Sequence, residues 1–188
     1  MVDPFPDDVS ADLRWFLAAL ARGLLRAGEP AVTRILGRLA GQDLADAAVV
    51  PPQPHPQEVT AYLAPAIAEA VLNQPEVAAS LAALSEHFHW LPGTGAAGLT
   101  QIIGPQGFMA GDGLRLDLVL LAPGVHQHLP VAGGESLWWP LTGPSRFVNG
   151  HETTLAPCTV AAAAAGSTPA AVAGRLPLLG LWLSDDKA

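Results

Sequence analysis

From about Leu99 onward the apolar residues of this chain come in runs of strand length, punctuated by Gly, Pro and Asn: LTQII, LRLDLVLL, SLWWPL, SRFV, TTLA, TVAAAAA and LLGLWL. Short apolar runs bounded by turn residues read as strands, and many of them at regular spacing specify a sandwich or a barrel. Asn149-Gly150, between SRFV and HETTL, is the strongest hairpin signal, because both residues tolerate the positive φ of a tight turn. The alanine run at 161–165 has high helix propensity and reads as strand only from its surroundings.

The first ninety residues carry the other period. DDVSADLRWFLAALARGLLRAGEP spaces its apolar residues as a helix does, with Asp8 or Ser10 as N-cap, Gly28 as a stop and Pro30 beyond. A second helix is predicted over 31–39, a Pro-rich linker over VVPPQPHPQ, and two more helices over 58–72 and 76–87, divided at Gln74-Pro75. The organisation expected is therefore a helical segment, 1–91, packed on a β-barrel, 99–188. Apolar helix faces have to be covered by something, and the barrel is the available surface.

Composition narrows the partners. A chain of 188 residues buries roughly two-thirds of its unfolded surface without a staple, and its single Cys158 forms no internal disulfide. No secretory leader is read at the start, so a cytoplasmic location is expected. The longest apolar stretch is interrupted by Arg22 and Arg26, which argues against a membrane partner. A net charge of -8 with only nine Lys and Arg repels a phosphate backbone, so nucleic acid is not an expected partner. Half the residues are hydrophobic and 14% charged, which suggests an enclosed apolar cavity together with a subunit interface, as in a homodimer.

The succession LTQIIGPQG, LDLVLLAPG, ESLWWPLTG, LAPCTV and LPLLGLWLSDD, preceded by helices, resembles the cupin family of dimethylsulfoniopropionate (DMSP) lyases. The resemblance implies a mainly β fold with N-terminal helices: a cupin-like barrel, or double-stranded β-helix, of two antiparallel sheets with helices packed outside. It further implies a metal on a His-x-His pair, a Glu and a final His, and a Tyr as catalytic base. With Pro123-Gly124 and Gly143 aligned to the family framework, the pair falls on Pro130 and Ala132, the Glu on Ser136, the Tyr on Trp138 and the last His on Pro169. None of the four metal positions then holds a ligand, so no metal and no cofactor is expected there. A shifted set of His126, His128 and Glu135 keeps a metal-dependent lyase as an alternative, although Glu135 stands seven residues beyond His128 and no His follows His151.

Side chains alternate faces along a strand. If the family positions face the lumen, Ser136 and Trp138 line it with Ala132, and His126 and His128 join them provided the strand runs unbroken through Pro130. Two imidazoles there are candidates for general acid and base; a break at Pro130 would leave them as polar loop residues. Trp138 offers an apolar platform, while Trp139 is expected to face the other way into packing. With Ala132, Ser136 and Pro169 in place of imidazoles the lumen is expected to be wide and apolar, or else tightened upon itself. Arg115 and Asp117 alternate with leucines in LRLDLVLL, either on a solvated strand face or on the pocket wall, where they would orient a carboxylate or carbonyl; Glu135 is counted with Arg115 among the substrate-binding residues. His87 and His89 are read as helix-end residues, His151 as exposed, and Cys158 as a small buried hydrophobe. The function expected is a metal-free cupin-like protein that binds a hydrophobic small molecule, with a non-redox cyclisation, isomerisation or elimination as its chemistry. The alternatives are a non-catalytic binding protein of the same shape and the shifted-ligand lyase.

Overall fold

The structure is a computed structural model that describes residues 7–40, 58–91 and 95–185. The expected Pro-rich linker lies outside the described residues. Among the described residues four α-helices come first: α1 (Asp7–Leu25), α2 (Pro30–Ala40), α3 (Leu63–Val71) and α4 (Pro75–Leu84). A 3-10 turn, Glu58–Tyr62, leads into α3, and another, Ser85–His87, follows α4. Helix α1 begins at Asp7, so Asp8 and Ser10 lie inside it and do not cap it. Pro75 sits at the first position of α4, where its missing N–H costs nothing.

Ten strands follow among the described residues: β1 (Trp90–Leu91), β2 (Ala97–Ile103), β3 (Leu114–Leu121), β4 (His126–His128), β5 (Ser136–Pro140), β6 (Ser145–Asn149), β7 (His151–Leu155), β8 (Ala161–Ala163), β9 (Ala170–Val172) and β10 (Leu178–Asp185). They form a six-stranded sheet in the order β1-β2-β3-β10-β5-β8 and a four-stranded sheet in the order β4-β9-β6-β7, with antiparallel pairing throughout. Two antiparallel sheets face to face, joined by crossovers, make the double-sheet barrel of cupins. The hairpin at Asn149-Gly150 forms as read, with Gly150 at φ 75°. The alanine run supplies a strand of only three residues, β8.

Strand β3 shows how the layers are arranged. Leu114, Leu116, Leu118 and Leu120 share one apolar cluster with Trp139 of β5, Leu179, Leu181 and Leu183 of β10, and Phe16, Leu20, Ile35 and Leu81 of the helices. Val119 and Leu121, on the opposite face, join Trp138, Trp182, Phe147, Ala171 and Leu129 in a second cluster inside the barrel. The large sheet is therefore covered on both faces, by helices on one side and by the small sheet on the other. That explains why its strands read as nearly continuous apolar runs. Contact with α1 is close: a Cβ added at Gly23 would lie 2.5 Å from the Trp139 ring. Among the described residues no helix is long and apolar enough to cross a membrane.

Candidate functional site

Residues directly opposite each other in a ladder share a face of the sheet. In the large sheet Ser136 pairs with Ser184 and Trp138 with Trp182, while Asp117 pairs with Trp182 and Arg115 with Ser184. These residues point into the barrel, as the alternation of β5 leads one to expect. Trp139 points the other way, into the helices.

The centre of the barrel is filled. Trp138 and Trp182 are completely buried, and a Cβ added at Gly180 would lie 2.4 Å from the Trp138 ring. Among the described residues neither indole N–H meets an acceptor, and both rings add bulk to the interior. The Trp138 platform expected to face a wide lumen is thus a packing residue, because tryptophan volume from two neighbouring strands takes up the space that small side chains would have opened. Ala132, Ser136 and Pro169 are also buried, and neighbouring backbone holds their segments together. The Ala132 carbonyl accepts from Gly166 N at 2.9 Å, the Pro169 carbonyl from Leu129 N at 2.8 Å, and the Ser136 hydroxyl donates to the Ala163 carbonyl at 3.4 Å.

His126 and His128 do not face the lumen. On the small sheet they pair with Val172 and Ala170, and the residue between them, Gln127, pairs with Ala171. Since Ala171 belongs to the inner cluster, Gln127 points inward and both imidazoles point out. They are exposed, their ring centres 5.1 Å apart. Glu135 is likewise drawn away from the interior: Arg34 of α2 holds it in a fork, with Nη2 2.7 Å and Nε 3.0 Å from its carboxylate. An exposed pair of this kind contributes at most about 1 kcal/mol to stability.

A metal at the place the resemblance implies does not fit these residues. Pro130, Ala132, Ser136 and Pro169 offer no imidazole or carboxylate, and among the described residues no three His, Cys, Asp or Glu side chains come together to hold an ion. The shifted set of His126, His128 and Glu135 is not brought together either.

Open space lies elsewhere, between the β1-β2-β3 flank of the large sheet and the segment that begins with β4. This pocket holds about 280 Å³. Its apolar wall is Leu91, Ala97, Gly98, Leu99, Leu129 and Pro130, and its polar wall is Arg115, Gln127 and His128. Of the residues singled out from sequence, Arg115, His128 and Pro130 reach it. Arg115 does not lie on a solvated strand face: its Nε donates to Asp117 Oδ2 at 2.6 Å, and the Asp117 side chain is fully buried. Gln127 and the apolar wall carried no signal in the sequence; strand alternation in β4 alone would have marked Gln127, had its register been known.

A chain from the crystal structures of the DMSP lyases RdDddP and RnDddQII superposes with a TM-score of 0.71 at 20% identity, over 93% of this chain and 92% of that one. The DMSP lyase DddQ from Ruegeria pomeroyi DSS-3 gives 0.68 at 20% identity, over 92% and 90%. This chain has the fold of the DMSP lyases. The likeness takes in the N-terminal helices as well as the cupin barrel, since it runs over nearly the whole of both chains. No family model and no curated protein matches the sequence.

Proposed function

We propose that this protein, with the cupin barrel of the DMSP lyases, binds a small, largely apolar molecule in the flank pocket and uses no metal at the family position. The observation that carries the reading is the pocket of about 280 Å³, walled by leucines and bordered by three polar side chains, beside a barrel centre packed solid with tryptophan. Binding sites for small molecules are concave and mainly apolar, with a few placed polar groups. The DMSP lyases are the structural relatives, but the residues this chain carries at the corresponding positions, Pro130, Ala132, Ser136, Trp138 and Pro169, argue against lyase chemistry by a metal and a tyrosine base.

A second reading, catalysis, is favoured by His128, a residue at the edge of the pocket. An imidazole can take up or give up a proton, as an isomerisation or elimination of a bound ligand requires. Calorimetric titration with neutral eight-carbon alcohols tests the binding site. Leu99→Trp, which fills the pocket, is expected to weaken octan-1-ol binding at least tenfold while the protein stays folded. Unchanged affinity in Leu99→Trp would place the ligand elsewhere. Turnover of any ligand so found, measured in His128→Ala, separates the two readings: a loss in kcat at constant affinity marks a catalyst.

A further inference from the structure

The polar wall of the pocket is specific enough to name the ligand's charged end. Arg115 stands two residues before Asp117 on the same inward face of β3. A guanidinium has five N–H donors in a planar fork. One of them, on Nε, is taken by the buried Asp117 carboxylate at 2.6 Å. Among the described residues the terminal nitrogens meet no hydrogen-bonding partner, while Arg115 lines the pocket and is 23% exposed. The arginine is thus held at its Nε while it borders the cavity, which leaves its terminal nitrogens as the donors a ligand could meet.

We infer that the pocket takes a monocarboxylic acid with a medium-length apolar tail, its carboxylate seated on the terminal nitrogens of Arg115 and Asp117 acting as the positioning residue behind it. This rests on the small-molecule reading above and adds the class of ligand. Two parallel N–H···O bonds suit the planar carboxylate, and a bidentate fit of this kind is what distinguishes Arg from a point charge. A phosphate dianion would bring twice the charge up to Asp117 in a chain that already carries a net -8. Size sets the tail: at about 30 Å³ for each water, the 280 Å³ pocket has room for roughly nine non-hydrogen atoms. An eight-carbon acid, with its carboxylate at the polar wall, is close to that size, and Leu91, Leu99 and Leu129 provide the apolar wall its tail needs.

The test compares octanoate with octan-1-ol by calorimetry at neutral pH. Hydrogen bonds to a charged group are the stronger kind, so octanoate is expected to bind about 10- to 100-fold more tightly than the alcohol. Removing Arg115 alone would strand the buried Asp117 and endanger the fold, so the variant to use is Arg115→Met combined with Asp117→Asn. In that variant octanoate affinity is expected to fall to the level of octan-1-ol, with alcohol binding retained as the sign of an intact pocket. Equal binding of acid and alcohol to the unaltered protein, or a preference for the acid that survives the double substitution, overturns the carboxylate assignment and leaves the small-molecule site standing. Failure of both ligands to bind overturns the two together.

Discussion

Gly180 decides what Trp138 can do. Its missing side chain lets the indole come close to β10, where an added Cβ would lie 2.4 Å from the ring. Gly180→Ala therefore has to displace a fully buried tryptophan, and overpacking of this sort costs about 1–3 kcal/mol. The expected readout is a lower urea midpoint with an unchanged m-value. A midpoint equal to that of the parent would mean that the ring has room to move, which would revive the platform role. The inward direction of Trp138 was legible in the alternation of β5; its burial was not, since the ring filling the space beside it, Trp182, belongs to a strand more than forty residues away in the chain. Cys158 was read as a small buried hydrophobe and is half-buried at the edge of the helix-facing cluster. Burial pushes its thiol pKa up, with a hydrogen bond to Gln74 pulling the other way, which suits an inert side chain.

Strand β4 is where sequence reasoning went astray, and the cause is its length. Three residues give too short an alternation to fix a face, and the partner that fixes it, β9, is a run of Ala-Ala-Val with no pattern of its own. Register, which reverses every side chain when it slips by one residue, was set by that pairing and put Gln127 inside and the histidines out. The opposite holds for β3 and β10, eight residues each and paired on both edges, whose apolar character on both faces announced a covered sheet. Amide hydrogen exchange should separate these elements. Protons of 116–120 and 179–183 are expected to exchange only through global unfolding, whereas those of the edge strand β4 exchange through local opening. Protection in β4 as great as in β3 would show that the small sheet opens only with the whole barrel.

At the scale of the molecule the helices and the large sheet share one apolar cluster, in which the leucines of β3, β5 and β10 meet α1, α2 and α4. A fragment of residues 95–188 would expose that leucine face to water, and it is expected to be insoluble or to bind a dye for exposed apolar surface while lacking a cooperative melt. A soluble fragment with a sharp transition would show that barrel and helices fold independently. This much of the architecture was written in the change of period near Leu99, because hydrophobic spacing is a property of the chain itself; the pocket, which depends on which strands end up facing each other, was not. The two walls of that pocket differ in kind. One rests on β2 and β3, each paired on both edges, and the other on a three-residue strand at the edge of the small sheet. The weaker wall would fluctuate more than the other, so the time a ligand stays bound is expected to follow the excursions of β4 more than those of the large sheet.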